Sequence, residues 1–83
     1  MSVTVRYFAG ARAAAGVTDE RVPLPEGGTV ADVLEVISAR HGAPLTRVLQ
    51  ASSLLLDEVA VRDHSQPAPA GATLDVLPPF AGG

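Results

Sequence analysis

Two short alternating stretches stand at opposite ends of this chain, and the strongest helix signal lies between them. Val3, Val5 and Tyr7 alternate with Thr4, Arg6 and Phe8. Leu74 and Val76 alternate with Asp75 and Leu77 in the stretch from Thr73 to Leu77. A period of two marks a strand, and both stretches carry apolar residues on both faces, which places them in the middle of a sheet. Between them, Thr29 is a good N-cap, and Asp32 can reach back to complete a capping box. Val30, Val33, Leu34 and Ile37 follow at helical spacing, Arg40 and His41 suit a helix C-terminus, and Gly42 suits the residue after it. The spacing predicts a helix over Val30–His41. Parallel pairing of the first and last strands needs a long crossover, and this helix supplies one.

The remaining segments fit around that frame. Ala9 to Gly16 is Ala-rich and ends in Gly, as a short helix or turn with a Gly stop does. Glu20, Val22 and Leu24 alternate in Thr18 to Leu24, a second strand that Pro23 confines to an edge or strand end. The short link predicts an antiparallel hairpin between the first two strands. Leu45, Val48 and Leu49 predict another helical turn after Pro44. Leu54, Leu55 and Leu56 are consecutive, then Asp57-Glu58 interrupts, so Ser52 to Arg62 reads as two short strands with a tight turn at Asp57-Glu58. Asp63 to Gly71 is a loop. The chain therefore predicts an α+β domain over residues 1–77, a mixed sheet with one main helix on one face. That arrangement is the β-grasp, or ubiquitin-like, fold. Residues 78–83 form an extended tail.

Composition excludes several function classes. The net charge is −3 and aromatic residues make up 4%, so the chain lacks the basic stripe of a nucleic-acid binder. There is no cysteine, which removes disulfides, thiolate catalysis and Cys-type metal sites. No apolar run approaches the roughly 20 residues that span a bilayer, and MSVTVRYF lacks the apolar core of a signal peptide. A cytoplasmic location fits these features. All six basic residues are Arg and none is Lys, so no side-chain amine is available for a Schiff base or for an isopeptide bond to the chain itself. His41 and His64 have no third ligand at metal-site spacing. Asp19, Glu20 and Glu26 show no catalytic spacing, and Ser52-Ser53 has no visible base. No side chain of this protein is expected to be catalytic.

The tail is the distinctive segment. The chain closes on LPPFAGG. Pro78 and Pro79 favour an extended path, so the tail should leave the domain in a set direction. That lowers the entropy lost when it enters a partner's channel. Gly82 and Gly83 have no Cβ, so backbone can approach other groups closely there, with Ala81 just before them. Phe80 suits an interface anchor. Phe8 and Leu77 are expected on the sheet face opposite the helix, with Val61 joining them. Such an apolar patch marks a partner site, and Arg6 and Arg62 are expected at its border.

With these features together, the chain resembles the small, sulfur-carrying subunits of molybdopterin synthase. The matching stretches are VRYFAGARAAAG, TVADVLEVI and above all AGATLDVLPPFAGG. The resemblance covers essentially the whole length. It departs in two turns: Asp57-Glu58 stands where the family often has an Asn-Gly type, and Gly71-Ala72 where it usually has Gly-Asp. The resemblance implies that the carboxyl of Gly83 is the reactive group. A partner resembling the ubiquitin-activating enzymes uses ATP to adenylate it, and no cofactor is bound tightly by the chain itself. A sulfur donor protein then displaces AMP to give a thiocarboxylate. In a heterotetramer with the large synthase subunit, that sulfur passes to a cyclic pyranopterin precursor of the molybdenum cofactor. The implied partner-binding residues are Phe8, Val61, Leu77, Pro78, Pro79, Phe80 and Ala81, with Gly82 and Gly83 at the reacting end. Two other readings stay open. One is a sulfur carrier for a thiamine, cysteine or tungsten-cofactor pathway, against which the double proline argues. The other is a ubiquitin-like interaction module without sulfur chemistry.

Overall fold

The computed structural model describes residues 1–79. In chain order the elements are β1 (Ser2–Tyr7), α1 (Ala9–Ala15), β2 (Asp19–Pro23), α2 (Val30–His41), α3 (Ala43–Ala51), β3 (Ser53–Leu56), β4 (Val59–Ala60) and β5 (Thr73–Leu77). The strands form one mixed sheet in the order β2-β1-β5-β3-β4. β1 and β5 lie side by side and parallel, with Val5 opposite Leu74 and Tyr7 opposite Val76. β2 pairs antiparallel with β1 as the predicted hairpin, and Pro23 sits on the outer edge. This is the β-grasp arrangement that the alternating stretches predict.

The alternation decides which side chains enter the core. Val3, Val5 and Tyr7 from β1, Val22 from β2, Leu54 and Leu56 from β3, and Leu74 and Val76 from β5 are buried on one face. Ala11, Val30, Val33, Ile37 and Leu45 close over them from the helices. α2 begins with the expected box: the Asp32 amide donates to the Thr29 hydroxyl, and the Thr29 amide donates to the Asp32 carboxylate. Two orphan donors of the first turn are thereby satisfied.

The Ala-rich stretch forms the short helix α1, and one local feature differs from the sequence reading: α3 is a full nine residues rather than a single turn. Pro44 does not break α3, because it occupies the first turn, where its missing N–H has no helical partner to lose. Gly42, at φ 77°, is shared as the end of α2 and the start of α3. The Asp57-Glu58 turn is as tight as expected. Both residues have positive φ, 47° and 69°, the conformation that a two-residue hairpin of right-handed twist requires. The turn is pinned to β5 from both sides: the Thr73 amide donates to the Asp57 carboxylate at 2.9 Å, and the Asp57 amide donates to the Thr73 carbonyl at 2.8 Å.

Glu20 takes a role that the sequence did not reveal. It pairs with Val5 across the hairpin, so its side chain lies on the core side at the sheet margin. The Tyr7 hydroxyl donates to it at 2.6 Å, Arg40 donates at 2.9 Å, and the His41 ring nitrogen bonds the same oxygen as Tyr7. Arg40 also donates to the Arg21 carbonyl. The carboxylate thus ties the end of α2 to β1 and β2. Burial pushes the Glu20 carboxyl up, but the hydrogen bonds from Tyr7, His41 and Arg40 outweigh burial and hold it below its ordinary range. Burial, then Glu20, pushes the Tyr7 hydroxyl far above its ordinary value.

A folded-state value below the unfolded one stabilises the fold above the unfolded carboxyl pKa of about 4.3. That contribution is lost as pH falls through the lower folded value. Stability measured by denaturant melts should therefore drop on acidification below about pH 4, and Glu20→Gln should flatten that part of the profile. An unchanged slope in Glu20→Gln would show that other carboxylates carry the acid sensitivity.

Candidate functional site

Parallel pairing puts the end of β1 and the end of β5 at the same end of the sheet. Phe8 follows β1, and its amide donates to the Val76 carbonyl at 3.3 Å. Leu77 closes β5, and Pro78 follows. Phe8, Ala9, Leu77 and Pro78 line a shallow, mostly apolar cleft of about 500 Å³ at this point. Phe8, Leu77 and Pro78 are half-buried, and Pro79 is exposed. The backbone leaves the sheet here, at the mouth of the cleft.

Asp75 lies beside the cleft on the open face of the sheet. It is 5% exposed and is the one buried charged side chain among the described residues. A buried carboxylate is costly unless paired. Arg6, its β-ladder partner, supplies a two-pronged bond, with Nε at 2.6 Å and a terminal nitrogen at 2.8 Å. Asp75 in turn holds the Arg6 guanidinium above its ordinary pKa, first through that hydrogen bond. The guanidinium carbon stands 5.7 Å from the centre of the Phe8 ring, within cation–π range. Arg6 therefore links a fixed charge to the aromatic wall of the cleft.

The structure brings together Phe8, Leu77, Pro78 and Arg6 as the sequence reading expects. It does not place Val61 with them. The Val61 amide donates to the Leu54 carbonyl, and its half-buried side chain packs against the core cluster. Alternation across β3 and β4 explains the correction, because Leu54 itself points into the core. Arg62 is exposed, and the described residues show no ion pair for it. Phe80, Ala81, Gly82 and Gly83 lie outside the described residues. Asp75 is the residue that sequence reasoning missed. Its one visible signal is an acid between Leu74 and Val76 in a strand otherwise apolar on both faces.

Among the described residues, no group of three or more His, Cys, Asp or Glu side chains could hold a metal ion. No helix there is long and apolar enough to cross a membrane.

Comparison with known proteins gives this end of the sheet a context. The model of the ThiS family matches residues 5–83. The molybdopterin synthase sulfur carrier subunit of Chlamydomonas reinhardtii is 33% identical over 84 residues, covering 100% of both chains. SAMP1 from Haloferax volcanii superposes with a TM-score of 0.89 at 27% identity, again over 100% of both chains. A putative molybdopterin converting factor subunit 1 from Pyrococcus furiosus has a TM-score of 0.81 at 27% identity, covering 96% of this chain and 99% of its own. The strand-end cleft and the tail beyond it both fall within the matched residues, and on this match the chain belongs to the ThiS family of ubiquitin-like sulfur carriers.

Proposed function

We propose that this protein is the sulfur-carrier subunit of a molybdopterin synthase. Gly83 is adenylated by an ATP-using activating partner, and a sulfur donor displaces AMP to leave a thiocarboxylate. The large synthase subunit then supplies the pocket in which that sulfur passes to a cyclic pyranopterin precursor. The observation that carries this reading is the full-length likeness to the Chlamydomonas carrier subunit, with a family match that runs through Gly83. The geometry supports it: the chain delivers its last strand to an apolar cleft beside a fixed Arg6. One alternative has its own observation. The likeness to SAMP1, a small archaeal modifier protein, favours a carrier whose acyl end is joined to other proteins.

The cleft is the docking element in this reading, with the Phe8 ring as its aromatic anchor. Phe8→Glu places a charge on that wall without touching the core. A purified large synthase subunit should bind this variant roughly 30-fold more weakly, the equivalent of about 2 kcal/mol for a central interface aromatic. Titration calorimetry with Phe8→Glu and the unaltered protein checks this, alongside circular dichroism to show an unchanged fold. Equal affinities would remove the cleft from the interface. Absence of binding by the unaltered protein, together with capture of other proteins by its activated end, would favour the modifier reading.

A further inference from the structure

We propose that the Asp75–Arg6 pair selects the partner that covers the open face of the sheet, by requiring from it an uncharged hydrogen-bond acceptor beside the apolar cleft. The inference rests on the proposed docking of the large synthase subunit at that cleft, and it names the chemistry that subunit must bring.

Strand register puts the pair in the middle of the face that the helices leave open. Arg6 stands opposite Asp19 on β2 and Asp75 on β5. Asp75 stands opposite Leu55 on β3, and Leu55 opposite Ala60 on β4. Cross-strand partners share a face, so one row of side chains runs Asp19, Arg6, Asp75, Leu55, Ala60 across the sheet. To one side of this row lies the cleft of Phe8, Ala9, Leu77 and Pro78. To the other, Arg6, Asp57, Glu58, Thr73 and Asp75 line a second hollow of about 380 Å³. Arg6 belongs to that hollow and also reaches the cleft wall, with its guanidinium carbon 5.7 Å from the centre of the Phe8 ring.

Asp75 takes only part of the guanidinium. Its two oxygens accept from Nε and from one terminal nitrogen, and the Arg6 side chain stays 47% exposed. The remaining N–H donors lie on the other edges of the planar fork, and the two bonds to Asp75 fix their direction. Water satisfies them in the free protein. A partner that covers the cleft strips that water, and a donor buried without an acceptor costs its full desolvation. A wholly apolar partner face is therefore penalised, whereas one that presents an acceptor is not, and specificity is this difference.

Local charge decides the kind of acceptor. Asp75 already matches the charge of Arg6, and Glu58 and Asp19 add negative potential; Asp75 first, then these two, hold the guanidinium above its ordinary pKa. A partner carboxylate would meet these acids together with the arginine, and like charges in proximity repel. A main-chain carbonyl or side-chain amide oxygen accepts without that repulsion. The fitting surface is a segment of the large subunit that sets an apolar side chain in the cleft and a neutral carbonyl oxygen against Arg6.

The pair is best replaced as a unit, because removing Arg6 alone would leave Asp75 buried without a partner. Arg6→Leu with Asp75→Val makes the centre of the face apolar, and exchange of an ion pair for packed apolar residues leaves a fold as stable or more so, which thermal melting checks. If apolar area alone drove docking, this double variant would bind the large subunit at least as tightly as the unaltered protein. The reverse is expected: titration calorimetry should show roughly 10-fold weaker binding, since the partner's acceptor is then buried unpaired. Arg6→Lys keeps the charge but loses the fixed fork, and it should bind roughly 3-fold more weakly; it carries the test alone if the double variant does not fold. Glu58→Gln should stay within roughly 2-fold, because a neutral acceptor is indifferent to an exposed carboxylate. Equal or tighter binding by the double variant, or by Arg6→Lys where it stands alone, overturns the inference. So does a change of roughly 10-fold in Glu58→Gln: a loss would put a basic partner residue in the hollow, and a gain a carboxylate. A large subunit that does not bind the unaltered protein at all overturns the proposed function and this inference with it, a result distinct from the others.

Discussion

Adding one alanine after Gly83 is expected to bring sulfur transfer to background while leaving the domain folded. Only a terminal carboxyl can be adenylated, because an internal peptide carbonyl is a far weaker electrophile. The extension turns the Gly83 carbonyl into an amide and moves the carboxyl one residue further along. The new end also carries a Cβ beside the attacked carbon, where glycine left that approach open. A displacement of this size at a reacting centre reduces rate by at least about 100-fold. The sheet should not notice the change, since β5 ends at Leu77 and keeps its ladders to β1 and β3. Product formed in a reconstituted reaction with the activating partner and the large subunit measures the effect, with thermal melting as the control. An interaction module without acyl chemistry predicts equal function in the extended and unaltered proteins.

The second large effect is structural. Ile37→Ala is expected to destabilise the domain by about 2–4 kcal/mol, through lost burial and the cavity left behind. Ile37 is fully buried at the centre of α2, against the core face of the sheet. Alanine is the better helix former, so the loss isolates packing from helix propensity. In a domain of this size the melting temperature should fall by about 10–25 °C. Val59→Ala is the matched control. Val59 is 68% exposed at the sheet edge, and its truncation should stay within about 0.5 kcal/mol. Thermal melts of the two variants side by side decide this. Equal shifts would show that α2 does not carry the core.

What the sequence revealed was governed by local rules. The box at Thr29 and Asp32 sits within four residues, so α2 could be placed to its ends. Strand alternation is equally local, and it put Val3, Val5, Tyr7, Leu74 and Val76 on the buried face. Asp57-Glu58 read as a tight turn even without glycine, because the apolar run on each side had to reverse there. The extent of α3 stayed hidden, because a proline inside the first helical turn and a proline standing just before a helix look alike without the backbone.

The features that stayed hidden depend on partners far away in the chain. Asp75 is satisfied by Arg6, 69 residues distant, and nothing near either residue announces the pair. Glu20 gathers Tyr7, Arg40 and His41 from 13 to 21 residues away. Arg40 and His41 read only as favourable charges at a helix end, although they also fasten α2 to the sheet. Val61 was assigned to the open face because the register of the short hairpin could not be counted from three consecutive leucines. The cleft of Phe8, Leu77 and Pro78 was legible for a simpler reason: once the first and last strands are parallel neighbours, their ends must coincide.

The most direct measurement is the intact mass of the protein after incubation with its activating enzyme, ATP and a sulfide source. A mass gain equal to exchange of one oxygen for one sulfur, absent when Gly83 is deleted, is the predicted result. An unchanged mass with several cognate activating enzymes, each shown to adenylate another carrier, would contradict the assignment of Gly83 as the sulfur-bearing group.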